Sequence, residues 1–579
     1  MRSMSDPKSD PLAGPLSDPM AELVLGPMLR YVSQDEATIW VETSAACEVE
    51  VLGRTARTFE VGGHHYALVV LAGLEPDSIT PYEVHLDGVR AWPLDGSDLP
   101  PSVIRTLGGN RPTRLLFGSC RSAAPHEPPF TLDADESDEG RGVDALRAHG
   151  LRMLHAETPR DWADLLILAG DQVYADDASP AAKRRVEARR DRDDGDRTDG
   201  RGDLPPHVVA DFEEYTWLYH ESWLPEVERW VFSVVPTAMI FDDHDVIDDW
   251  NTSAAWVRET RAEPWWHEHI IGAMVSYWIY QHLGNLSPGE IEREGLLTRV
   301  TESDDAEAVL RRWAFESESS TPIPGGYPFS YFRRFGDVQV VVIDVRNGRV
   351  LEEQNRRLVD EGEWSWIVDR ASEPCRHLVL VSSLPVFTPG GIHALQQWSE
   401  AICQGAWGRV GRWAGEKVRR ALDTEHWPAF DRSFREFEQL LLDRGASGGE
   451  HEAPATINEL AGDIHFSYTV AVEPRDGTEM TSRIHQIVSS PIRHILPRRE
   501  RRLMRFAQSR AGRRTAEFLQ RRAGRDETAM AWDLDVEPIF DNAMGQIEFF
   551  GDRATLRMER AGFDDDGNEC LTEFQHLEL

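Results

Sequence analysis

Between about Leu23 and Leu107, apolar residues alternate with polar ones in short runs broken by turn residues: LVLGPMLRYV, EATIWVETS, CEVEVLG, TFEVGG, HYALVVLAGL and TPYEVHLDG. Cys47, Val49 and Val51 interleave with Glu48 and Glu50, and Tyr82, Val84 and Leu86 with Glu83, His85 and Asp87. A period of two sends alternate side chains to opposite faces, so each run predicts a half-buried strand. The set predicts a β-sandwich over residues 21–108.

After Gly108-Gly109-Asn110 the pattern changes to solid apolar runs that stop abruptly at polar residues, with helical stretches between them. RLLFGSC, ADLLILAGDQ, PTAMIFDDHD, VQVVVIDVRN, HLVLVSSLPV and TINELAGDIH are the strand candidates of an α/β domain over residues 109–579. Open α/β sheets bind ligands at the carboxyl edge, and in five of the six runs polar or ionisable residues lie there. Helices are expected around Tyr215 to Val231, through WWHEHIIGAMVSYWIYQHL, and from Arg498 to Arg522, the last as an amphipathic, basic helix. The end of the chain, GQIEFFGDRATLRMERAG and ECLTEFQHLEL, alternates like antiparallel strands that extend or cap the sheet. Residues 1–20 read as a disordered tail, the mixed-charge run near 180–204 as a solvated insertion, and DRGASGGEHEAP as a linker. Part of TESDDAEAVLRRWAFESESS has helical character.

The 579 residues exceed what one core usually supports, in keeping with more than one unit. A formal net charge of −38 disfavours non-specific binding to nucleic acid or anionic membrane, and no apolar run is long enough for a membrane span. Phosphate chemistry in such a field needs cations or local arginine to reverse the sign. Five scattered cysteines suggest no disulfide framework, and the N-terminus shows no signal peptide or twin-arginine motif, so a cytoplasmic location is expected.

Candidate chemistry gathers in four strand-end segments: Gly118-Ser119-Cys120-Arg121, Gly170-Asp171-Gln172-Val173-Tyr174, Asp242-Asp243-His244-Asp245 and Gly462-Asp463-Ile464-His465. A lone Cys or Tyr at such a place is more often packing than a ligand. Asp171 differs, because a carboxylate closing LLILAG with no adjacent Lys or Arg is costly to bury unpaired and can bridge two cations. Asp463 and His465 are expected to alternate on a strand, with both side chains on one face. Arg121, and more loosely Arg493 and His494, are the candidates for gripping phosphate.

Taken in order, the four segments resemble the alkaline phosphatase D branch of the calcineurin-like metallophosphoesterases, whose members also carry an N-terminal β-sandwich. The resemblance covers nearly the whole chain. It implies a metal-dependent phosphoester hydrolase with Cys120, Asp171, Tyr174, Asp243, Asp463 and His465 as metal ligands. Tyr174 and Cys120 fall on the ligands of a ferric ion, and His244 falls on the histidine that reaches phosphate and assists the leaving group. In VSSLPVF, Ser382, Ser383, Leu384 and Pro385 lack the ligating histidine of many relatives, which favours iron with calcium over a conventional pair, with other divalent ions open. Asp171 then acts in catalysis as the bridging carboxylate. Two other readings stand beside this one: a diesterase acting on lipid, wall-polymer or nucleotide phosphates, and a non-catalytic scaffold with a structural metal. Substrate preference, oligomeric state and the role of the Arg-rich segment are not legible from the residues.

Overall fold

The computed structural model describes residues 20–192, 204–205, 207–319, 327–422, 424–446 and 452–579. Residues 1–19 of the expected tail, the second half of the charged run and the middle of the expected linker lie outside them. The fold class is the expected one, a β-sandwich followed by an α/β domain of packed sheets and flanking helices.

The sandwich is built from two four-stranded sheets, Leu23–Val32, Glu36–Thr43, His64–Ala72 and Phe59–Val61 on one side and Arg54–Arg57, Glu48–Val51, Val84–Leu86 and Val89–Trp92 on the other. Ile39, Val41 and Val69 of the first share one core with Val49, Val51, Val84 and Leu86 of the second. The alternation legible in the sequence is the inside-outside alternation of these strands.

Beyond it lie a six-stranded and a seven-stranded sheet that contribute to one continuous core. The first runs Thr237–Ile240, Leu165–Ala169, Thr113–Gly118, Ala543–Phe550, Arg553–Phe563 and Glu569–Glu578, parallel over its first three strands and antiparallel after that. In the second, Val338–Ile343, His377–Ser382, Thr456–Ala461 and Arg483–Val488 form a parallel centre. All six apolar runs are strands. Because the parallel strands point the same way within each sheet, their polar exits collect at one edge. Gly462 N donates to Ser383 O (2.9 Å) and Cys120 N to Gly170 O (3.1 Å), stitching those exits together.

Four elements differ from expectation. The charged run begins as a helix, Pro180–Arg192, because it holds good helix formers and docks: Arg185 stacks on Trp217 at 3.9 Å and Arg189 pairs with Asp211 at 2.8 Å. The helix expected over Tyr215 to Val231 is two, Phe212–Trp223 and Glu226–Val234, split at Pro225. The apolar stretch after Trp265 is α-helical to Ser276 and then winds into a π-helical turn, Tyr277–His282. The basic segment breaks at Ser509, whose hydroxyl accepts from Gly512 N and caps a second helix.

The sandwich is anchored to this body by Arg30, buried, which donates to the carbonyls of Tyr280 and Gln281 at 2.6 Å each. Tyr82 adds a bond to Ser233 O at 2.7 Å.

Candidate metal centre

At the shared edge the backbone leaves regular structure at the positions that carry the chemistry. Cys120, Asp171, Asp463 and His465 have φ of 57°, 51°, 64° and 54°, in the left-handed region that non-glycine residues rarely occupy. Such strain persists only where the surroundings hold it, and here they do. Asp245 accepts from the amides of Asp171 (3.0 Å), Gln172 (3.1 Å), Val173 (3.2 Å) and Asp242 (3.0 Å), and Gln281 of the π-helical turn donates to it at 3.1 Å. Gly462 admits the close approach, since a Cβ there would lie 2.3 Å from Ser119 Oγ and 2.7 Å from Ala169 O.

Three groups of ligand atoms, each within 4.8 Å of one another, adjoin here: Cys120, Asp171 and His465; Asp171, Asp242 and Asp243; and Asp243, Glu425 and Asp463. Asp171 is common to the first two, the position of a bridge. Both of its carboxylate oxygens are buried without a hydrogen-bond partner, as are Asp242 Oδ2 and Asp243 Oδ1. Buried carboxylate oxygens left open cost several kcal/mol unless a cation or a proton meets them. The Tyr174 hydroxyl lies 3.4 Å from His465 Nε2, which places its oxygen beside the first group. Sulfur, phenol, carboxylate and imidazole together suit a borderline or trivalent ion, whereas the all-carboxylate second group suits a hard one.

A cation of the chain's own occupies the third group. The buried Arg346 guanidinium binds Glu425 through two nitrogens and Asp242 through Nε. It also lies 3.0 Å from Asp243 Oδ1, out of line for a hydrogen bond, and 3.8 Å from Asp463. Arg349 adds an ion pair to Glu425 at 3.3 Å. The five carboxylates of these groups outnumber the two guanidinium groups set against them.

That excess shows in the proton affinities. Burial, then repulsion from Asp242, Asp243 and Asp245, outweighs the attraction of His244 and drives the Asp171 carboxyl well above its usual range. Burial likewise lifts Asp242, and it pushes Asp243 up to about 7 despite Arg346. The Cys120 thiol and Tyr174 phenol are raised by burial and by neighbouring anions. Burial also disfavours the Asp463 anion, but the His426 hydrogen bond (2.7 Å) and Arg346 outweigh it and hold that carboxyl low. Burial lowers His465 to about 4, leaving it neutral, the form that ligates.

Carboxyl groups raised in the folded state contribute stability below their unfolded pKa near 4 and lose it as pH rises through the folded value. Metal-free protein is therefore expected to lose stability between about pH 4 and pH 7, and added cations to restore it at the upper end. Urea denaturation across that range with and without chelator checks it; a flat metal-free profile contradicts the assigned excess of negative charge.

One wall of the site is a file of rings. His244 packs on Tyr174 (centroids 4.8 Å apart), Tyr174 on His494 (4.9 Å) and His494 on His465 (4.4 Å). His244 Nδ1 faces Asp176 Oδ1 at 2.9 Å. Burial opposes protonation of His244, but Asp176, then Asp243 and Asp171, outweigh it and hold the imidazole well above its ordinary value. Asp176 leaves Nε2 as the atom free to meet a ligand.

Cys120, Asp171, Tyr174, Asp243, His244, Asp463 and His465 thus come to one place, but two expectations need correction. Asp463 and His465 do not alternate on a strand: it ends at Ala461, and left-handed backbone turns both side chains inward instead. Arg121 does not face the site. Buried, it donates to Asp144 (2.9 Å), Ser222 O (2.7 Å) and Glu228 (3.0 Å), because the residue after Cys120 points to the far side of the sheet exit. Arg493 similarly spends its guanidinium on Pro125 O at 2.7 Å and on Ala124 O. Sequence reasoning missed Asp176, Asp242, Asp245, Arg346, Glu425 and His426. Arg346 at least closed a recognised strand end, and Asp242 and Asp245 flanked the recognised pair.

The fold and site together define a sandwich-plus-α/β protein with a metal-ready centre at its sheet edge. Among solved structures, "Structure of PhoD" is similar over 96% of this chain and 90% of that one, with a TM-score of 0.56 and 10% identity, a likeness of fold. A maltogenic amylase from S. marinus aligns with a TM-score of only 0.18 and 9% identity over 96% of this chain and 82% of that one, too low to bear on the fold. Residues 20–104, the sandwich, match a domain of unknown function, DUF7800. No curated protein matches the sequence. No helix among the described residues is long and apolar enough to cross a membrane.

Proposed function

We propose that the protein is a metal-dependent phosphoester hydrolase of the alkaline phosphatase D kind. The observation that carries this reading is Asp171, buried, unpartnered at both oxygens and shared between two groups of ligand atoms. Cys120, Tyr174, Asp171 and His465 would hold one cation, for which iron suits the donors, and Asp171, Asp242 and Asp243 a harder one, for which calcium suits them. Metal ions held there would supply Lewis acidity toward phosphoryl oxygens and a bound water. The chain's own residues do the rest. Arg346 fixes the carboxylates in place from behind. Asp245 fixes the loop that carries Asp171, and Asp176 keeps His244 protonated so that its Nε2–H can be donated to the departing oxygen. A purely structural metal site needs no such poised imidazole.

The test is turnover of a panel of phosphomonoesters and phosphodiesters, which also ranks the two ester classes, alongside metal analysis for iron and calcium. Asp176→Asn sharpens it. Without that carboxylate His244 loses its proton at lower pH, so the alkaline limb of the kcat/KM profile is expected to move down while the acid limb stays. An unchanged alkaline limb removes His244 as the acid.

A further inference from the structure

A second cluster of ligating side chains, sharing no residue with the catalytic edge, lies where the sandwich meets the helices. Glu42 of the strand Glu36–Thr43, His64 of the strand His64–Ala72 and His220 of the helix Phe212–Trp223 bring one ligand atom each within 4.8 Å of the others. His64 Nδ1 lies 2.8 Å from Glu42 Oε1, and His220 Nε2 lies 3.0 and 2.9 Å from the two Glu42 oxygens. We propose that this junction is a second metal site, taking a zinc-class divalent cation on Glu42, His64 Nδ1 and His220 Nε2 and so tying the sandwich to the α/β domain.

Several features separate this cluster from an ordinary ion pair. The far nitrogen of His64 faces Glu213 Oε2 at 2.8 Å, and Glu213 is itself held by Trp217 Nε1 at 2.8 Å. An imidazole with a carboxylate behind its non-ligating nitrogen is the usual support of a metal-binding histidine, fixing the tautomer and raising the basicity of the other nitrogen. The ligating carboxylate has its own support, the Tyr280 hydroxyl donating to Glu42 Oε2 at 2.9 Å with Tyr66 behind it at 3.0 Å. With neutral imidazoles, Glu42 is the one anion among the three donors, and Glu213 stands behind His64 with Arg189 beside it. Glu42 is fully buried, whereas the His64 and His220 side chains are 20% and 16% exposed, so the cluster is open to solvent from the histidine side. The two-nitrogen, one-oxygen set favours zinc over calcium, opposite in preference to the all-carboxylate group at the catalytic edge.

The direct experiment is anomalous diffraction at the zinc edge from crystals of the full chain soaked in zinc, with equilibrium dialysis of zinc against wild type, His220→Gln and Glu213→Gln. The expected result is an anomalous peak between Glu42, His64 and His220, one zinc fewer per chain in His220→Gln, and an affinity there about 10- to 100-fold weaker in Glu213→Gln. Diffraction reads the unmodified protein, and Glu213→Gln keeps all three donors, so misfolding of His220→Gln leaves the question answerable. No peak at the junction, or a zinc count in His220→Gln equal to wild type, overturns the proposal and leaves the cluster an ion-paired latch. Either outcome is independent of phosphoester turnover.

Discussion

Asp171→Asn is expected to reduce kcat/KM for phosphoesters by roughly 10³-fold or more, about 4 kcal/mol of barrier, while the chain stays folded. The size follows from its place. Asp171 alone belongs to both the sulfur-containing and the all-carboxylate group, so its amide loses the charge that either cation needs and the shared geometry with it. The same substitution has the opposite sign in the metal-free protein. There the Asp171 carboxylate is buried, unpartnered and repelled by Asp242, Asp243 and Asp245, so the neutral amide is expected to raise metal-free stability at neutral pH. Activity together with urea denaturation of stripped samples reads both effects. Wild-type turnover in Asp171→Asn contradicts the bridging role.

The largest effect on stability is expected from Arg346→Met. Its guanidinium is fully buried and meets Asp242, Asp243 and Glu425, with Asp463 at 3.8 Å, so removing it leaves several carboxylates facing one another in a closed space. Breaking one buried ion pair typically costs about 3–5 kcal/mol, and this site lies at the upper end because Arg349 compensates only at Glu425. Arg346→Lys, which keeps the charge but not the fork, is expected to recover part of the loss. Equilibrium unfolding of both variants checks this; a change under about 1 kcal/mol for Arg346→Met would show that the carboxylates are protonated without it.

Strand ends were legible in the sequence because an apolar run halting at Gly-Asp or Asp-Asp-His marks the point where a buried strand meets solvent or a ligand. Asp171 stood out that way, whereas Cys120, Tyr174, Asp243, His244 and His465 lay at such ends and took their expected roles from the family resemblance. The direction of a side chain was not legible where the backbone turns left-handed: Asp463 and His465 reach the site by positive φ rather than strand alternation, and Arg121, one residue past Cys120, turns away. Long-range partners were hidden most completely. Glu425 and His426 sit in a loop after the helix Gly408–Ala421 with no periodicity around them, and only the folded chain sets them against Arg346 and Asp463. The junction cluster was equally silent, since Glu42, His64 and His220 lie in three separate elements.

The central claim is that residues from distant stretches converge on cations that make phosphorus reactive to water. Its most direct test is turnover of a phosphoester panel by one preparation before chelation, after chelation, and after reloading with iron and calcium, each sample checked for metal content and for folding. The expected result is a chelated protein that remains folded and inactive and regains turnover on reloading. Turnover indifferent to chelation, or no phosphoester hydrolysed at any metal loading, contradicts it.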